Sequence, residues 1–217
     1  LKVTLTGNRT DNRTTQVQFM YDDMGYIYGG SYTKTHMAIK TALRGVNAKD
    51  GYHSQAFDDF LDAIPVVSER LQNQYVGTTY PTTGFFEGSI MAGKEFDPAN
   101  GTVNTMSSDV LIPAFLAAYS GKNPRKVSLN PFPGIKDILP NWRVTYDGLS
   151  KISFLKKFFK SMTLTHAYQC TYSVGSFSSF TDWVMVGQGL GFTQDALTGG
   201  AIPSSPYNIS SVSITEK

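Results

Sequence analysis

Residues 160–177, KSMTLTHAYQCTYSVGSF, alternate with a period of two. Met162, Leu164, His166, Tyr168, Cys170, Tyr172 and Val174 hold the even positions; Thr163, Thr165, Ala167, Gln169, Thr171, Ser173 and Gly175 hold the odd ones. Successive strand side chains point to opposite faces, so one face of this strand is apolar and aromatic and the other small and hydroxylated. No charge interrupts either row after Lys160. A tilted strand of roughly 9–11 residues crosses a bilayer, and this pattern is longer. Such a strand suits the wall of an outer-membrane barrel, with lipid outside and a polar lumen inside. The same period suits a long strand of a soluble sandwich or barrel with the apolar row in its core. Pattern alone leaves both open.

Composition narrows the choice. Charged residues make up 17% of the 217, below the roughly 25% of soluble domains, yet mean hydropathy is only −0.20. Membrane helices raise mean hydropathy sharply; barrel strands, half polar, do not. Twelve Tyr and fourteen Phe fit a barrel or an all-β binding protein. A net charge of +2 gives no electrostatic grip on nucleic acid. With Cys170 as the single cysteine, an internal disulfide and a Cys-rich zinc site are excluded. The longest apolar run, Val110–Tyr119 around Pro113, is shorter than the roughly 20 residues of a membrane helix.

Barrel strands are expected over residues 1–38 and 141–217. Leu1, Val3, Leu5, Val17, Phe19 and Tyr21 share one face, and a single long strand keeps that face consistent, with Arg9, Asp11 and Arg13 toward protein or water. Asp22–Gly30 reads as a turn before a weaker strand at 31–39. Residues 39–75 form a helical insertion: Ala56, Phe57, Phe60, Leu61 and Ile64 recur at helical spacing after Ser54, and Pro65 kinks or restarts the helix. Residues 76–140 read as a loop carrying a short helix near 109–120. Trp142, Val144 and Tyr146 then share a strand face. Residues 151–160 form a basic turn helix, 181–206 a Gly-rich loop, and 207–214 a last strand with a phase shift between Ile209 and Val212, a bulge. A chain starting and ending in strands reads as part of something larger.

Catalytic chemistry finds no support. His166 and Cys170 lie about 13 Å apart along a strand, too far to share a metal, and Gly187-Gln188-Gly189-Leu190-Gly191 lacks phosphate-loop spacing. Asn8, Asn12, Asn100 and Asn208 begin glycosylation sequons, meaningful only in a eukaryotic secretory protein. No catalytic residue, cofactor or metal ligand is expected, and the chain is not expected to be an enzyme.

Three blocks go beyond pattern: Asp109–Lys122 (DVLIPAFLAAYSGK), Leu139–Leu149 (LPNWRVTYDGL) and Lys156–Ser161 (KKFFKS). With His166-Ala167-Tyr168, Thr171–Ser176, Gly30-Ser31-Tyr32 and Ala56–Leu71, they resemble, in collinear order, the SprA (Sov) family, the outer-membrane translocon of the Bacteroidetes type IX secretion system linked to gliding motility. The resemblance implies mainly β structure as a segment of a very large transmembrane antiparallel β-barrel in the bacterial outer membrane, with a helical insertion and short turn helices. It further implies export of folded cargo bearing a type IX C-terminal signal, and contact with outer-membrane lipid, with the remainder of the same barrel chain, with a PorV-like barrel partner and with a periplasmic plug protein. Such a pore needs many more strands than 217 residues supply. On this reading Met162, Leu164, Tyr168, Tyr172 and Val174 face lipid; Thr163, Thr165, Gln169, Thr171 and Ser173 face the lumen. Trp142, Tyr146, Lys156, Lys157, Phe158, Phe159 and Lys160 lie at the membrane interface, where a basic amphipathic turn beside aromatic strand ends is at home. The alternative is a soluble all-β carbohydrate- or ligand-binding module stacking sugars on Trp142, Trp183 and tyrosines.

Overall fold

A computed structural model of the chain describes residues 1–20, 23–38, 40–41, 51, 53–99 and 103–217. Strand outweighs helix, 35% against 26%, and the sheets are antiparallel with none closed into a barrel. Two of them follow one another along the same strands. β1 (Lys2–Thr6) and β2 (Arg9–Met20) are separated only by Gly7-Asn8, and β5 (Leu164–Tyr168) and β6 (Cys170–Ser179) only by Gln169. Between them run β3 (Asp23–Thr35), paired with β2 and β6, and β4 (Asn141–Tyr146), paired with β1 and β5. β3 and β4 thus occupy one strand position, interrupted by residues 36–140. β10 (Tyr207–Ile209) and β11 (Val212–Glu216) lie on the far side of β6.

Local hydrogen bonds hold the seam. The Thr35 N–H donates to the Asn8 carbonyl, the His36 N–H to the Cys170 carbonyl, and Gln169 and Lys217 exchange backbone bonds. The Asn141 side-chain oxygen accepts from the Cys170 N–H at 2.8 Å, so the buried His36 and Cys170 donors at the break both find partners.

The inserted residues cover one face of the upper sheet. Helix α1 (Gln55–Tyr75) turns Ala56, Ala63, Val67, Leu71 and Tyr75 inward at helical spacing. Pro65 sits inside this one helix rather than restarting it, and residues 39, 42–50 and 52 of the expected insertion lie outside the described residues. Ser54 occupies the N-cap position without a side-chain cap bond; its carbonyl takes the first helical donors. Helix α2 (Ser108–Ser120) ends at Gly121 in the left-handed region, the glycine N–H closing on the Ala117 and Ala118 carbonyls. α1 packs on α2, and both join Tyr32, Tyr172, Val174, Phe177 and Ile209 of the sheet in one apolar core.

Two strand assignments change. Residues 23–30, expected as a turn, belong to β3. Two of their glycines serve close approach: a Cβ on Gly29 would collide with the Phe177 carbonyl and one on Gly30 with the Asn12 carbonyl across the ladder. Residues 181–206, expected as a loop, contain a third sheet of β7 (Val184–Gly187), β8 (Leu190–Gln194) and β9 (Ala201–Ser204). Phe192 of β8 packs against Tyr75, Tyr80, Phe86 and Phe96. The turn helix of 151–160 is reduced to a 3-10 turn at Gly148–Lys151 and the four-residue α3 (Ser153–Lys156).

Candidate functional site: one strand face, bare below and covered above

The lower sheet is amphipathic across all three strands. Register places Val3 opposite Val144 and His166, Leu5 opposite Trp142 and Tyr168, and Tyr146 opposite Leu164. Those residues share one face, while Thr4, Arg143, Ala167 and Thr145, Thr165 share the other. The apolar face is largely uncovered: Val3, Leu5, Tyr146 and Leu164 are exposed, Leu164 by 58%. A concavity of about 600 Å³ lies over the polar residues Lys2, Thr4, Thr6, Arg143, Thr145 and Gln169.

Upward along the same strands the apolar row disappears under protein. Tyr172 and Val174 have no exposed surface and Tyr168 keeps 7%. Their expected contact with lipid is therefore corrected: the insertion covers them. The covering is chemically specific. The Tyr32 hydroxyl donates to the Pro133 carbonyl at 2.5 Å and the Tyr172 hydroxyl to the Pro131 carbonyl at 3.1 Å. A buried tyrosine needs such an acceptor, and a proline-rich strap offers carbonyls with few competing N–H donors.

At the boundary, Trp142 stacks on Tyr168 with ring centres 4.4 Å apart, and its indole N–H donates to His166 Nδ1 at 3.3 Å. The Tyr168 hydroxyl accepts from the Ala38 N–H at 3.0 Å. Of the remaining residues expected to face lipid or lumen, Leu164, Thr165, Gln169, Thr171 and Ser173 keep their alternation, Gln169 in the one-residue break between β5 and β6. Thr165 and Gln169 are exposed, while Thr171 and Ser173 are half-buried on the polar face. Met162 and Thr163 precede β5, outside any strand.

The β4–β5 connection sits at the end away from the insertion. Ile152, Phe154, Phe158 and Phe159 are exposed, as are Lys156, Lys157 and Lys160. Phe154 and Phe158 touch edge to face at 5.5 Å. A bare apolar cluster rimmed by lysines continues the uncovered face of the sheet. Phe154 escaped the sequence reading because helical periodicity over 151–160 placed it off the apolar side.

Trp183, named in the carbohydrate-binding alternative, is half-buried. Its indole N–H donates to the Ser204 carbonyl at 2.9 Å, and its ring fills the space over Gly191 where a Cβ would clash. Among the described residues no helix is long and apolar enough to cross a membrane, and no His, Cys, Asp and Glu cluster could hold a metal. The chain matches no family model and no curated protein.

Proposed function

We propose that this chain is a structural segment in the wall of a large outer-membrane β-barrel that conducts folded proteins, of the SprA type used in type IX secretion. The observation that carries the reading is the change of cover along one sheet face. The polar face runs from Thr4 to Thr14, whereas the apolar face is bare over β1 and the far ends of β4 and β5, is buried from Tyr168 through Tyr172, Val174 and Tyr32, and is exposed again at Val17, Tyr26 and Tyr28. A wall that leaves a bilayer needs that arrangement, with lipid covering the lower apolar face and the chain's own insertion the upper; β1, β4 and β5, at five, six and five residues, supply part of a crossing of roughly 9–11 residues. The exposed Phe and Lys residues of 151–160 continue that face. Among the described residues β1 and β2 on one side, and β10 and β11 on the other, keep an unpaired edge, which further strands of the same barrel chain would complete. A lipid-contacting PorV-like partner, a plug and cargo belong to this reading through the sequence resemblance.

Adjacent cysteines test it. In bilayers, a thiol at Leu164→Cys is expected to react with a membrane-embedded maleimide and resist an aqueous one, while Thr165→Cys does the reverse. Buried Cys170 supplies little background. Equal aqueous labelling of both, with the chain monomeric and cooperative without detergent, would instead establish a soluble module.

A further inference from the structure

Within the covered half, an unusual concentration of positive charge surrounds a small cavity. Lys34 and His36, at the end of β3, are 3% and 2% exposed. They line a space of about 200 Å³ together with Ser120, Lys122, Lys126 and Asp137. The Lys34 ammonium has three donors; it gives one to the Asp137 backbone carbonyl at 2.9 Å. Among the described residues no carboxylate lies within ion-pair distance of it. Its ladder partner across the sheet is another cation, Arg9, an opposition that destabilises unless compensated. Arg9 is turned toward Asp11, which also binds Arg13, so that carboxylate is already shared. His36 holds Ser120 Oγ through Nε2 at 2.7 Å, and its Nδ1 is buried without a partner.

Burial and the nearby Lys122 pull the Lys34 ammonium down to about 8. Burial, Lys34 and Lys122 together hold the His36 imidazole down to about 4. Both groups are in the covered half, outside the strands read as membrane-spanning. Three lysines line this space against the single carboxylate of Asp137, so the lining is short of negative charge. A tetrahedral oxyanion supplies it. Its oxygens accept from the ammonium groups and the Ser120 hydroxyl, and charge-assisted bonds of this kind are the strong ones.

We propose that this cavity is a binding site for a phosphate-class oxyanion, free or as the headgroup of a phosphorylated lipid. The site rests on its own lining and stands whether or not the barrel reading does. Calorimetric titration of inorganic phosphate into the full-length polypeptide in detergent, at constant chloride and pH 7, is expected to show saturable one-site binding. Lys122→Ala with Lys126→Ala, both at exposed positions and so harmless to the fold, should weaken it by roughly tenfold or more, the loss expected for removing hydrogen bonds to charged groups. Lys34→Met should abolish it. A second arm replaces free phosphate with micelles containing phosphatidic acid: tighter apparent binding than phosphate identifies a lipid headgroup, and equal binding a soluble anion. Absence of saturable binding in both arms, or binding unchanged in the folded Lys122→Ala, Lys126→Ala variant, overturns the site.

Discussion

The lower and upper halves of the sheet are built from the same strands, with the same alternation and the same polar face, and they differ in what lies on the other side. Below the Gly7-Asn8 break, Val3, Leu5, Val144 and Leu164 line a face that no helix or strap among the described residues covers. Above it, Tyr32, Tyr172 and Val174 are roofed by α1, α2 and the strap at 131–133. Alternation records that one face avoids water; it does not record what replaces the water. That information sits in the insertion, at a distance in sequence from the strands it covers.

The comparison breaks first at Tyr172. If the upper row is a protein core, Tyr172→Ala removes a fully buried ring and leaves the Pro131 carbonyl without its donor. Losses for aromatic-to-alanine changes in cores run about 3–5 kcal/mol, and the orphaned acceptor adds to the cost. Chemical denaturation should show this loss equally in detergent and in vesicles. A loss confined to vesicles would mean that lipid, not protein, supports the ring.

Leu164, on the same face two turns of the pleat below the boundary, should behave in the opposite way. Leu164→Arg is expected to cost roughly 2–4 kcal/mol if the site lies at the bilayer midplane, less toward an interface. Without a membrane the arginine simply meets water and the cost falls to surface size, within about 0.5 kcal/mol. Thr165→Arg, one residue along and on the polar face, serves as the control and should be tolerated in both settings. Urea titrations in vesicles and in detergent check the pair; equal stability of both variants in vesicles removes the membrane from the lower half.

Much of this contrast is legible in residues 160–177, whose two rows place Tyr172 and Leu164 on one face and Thr165 on the other. The α2 helix is readable too, from Ser107 or Ser108 ahead of the apolar run and Gly121 after it. Tyrosine is where the reading fails. Its ring suits a lipid interface and its hydroxyl suits a buried acceptor equally well, and nothing local signals that Pro131 and Pro133 return to accept from Tyr172 and Tyr32. Glycine misleads at two further places. Gly25, Gly29 and Gly30 give 23–30 the density of a turn, yet Gly30 is there because the neighbouring strand leaves no room for a Cβ. Gly187, Gly189 and Gly191 hide β7 and β8, strands too short to show a period, of which Gln188 and Gly189 form the left-handed turn.

Acid should separate the halves by loosening the cover alone. His36 joins the strand to α2 through Ser120, and burial with two neighbouring lysines depresses its folded value to about 4 against an ordinary 6.5. Between those values the unfolded chain binds a proton that the folded chain excludes, so stability rises with pH in that window. The stabilisation is therefore complete above about 6.5 and is lost as pH falls toward 4, by roughly 2–3 kcal/mol over the two and a half units. Hydrogen exchange in phosphate-free buffer should accordingly show α2 and the upper strands losing protection from pH 6.5 to 4 while β4 and β5 change little. His36→Gln, which keeps a hydrogen-bonding group toward Ser120 without a titrating nitrogen, should flatten that part of the profile. If the pH dependence survives in His36→Gln, carboxylates elsewhere control the acid response; if β4 and β5 open in step with α2, the two halves are one cooperative unit and the boundary at Trp142 has no energetic meaning.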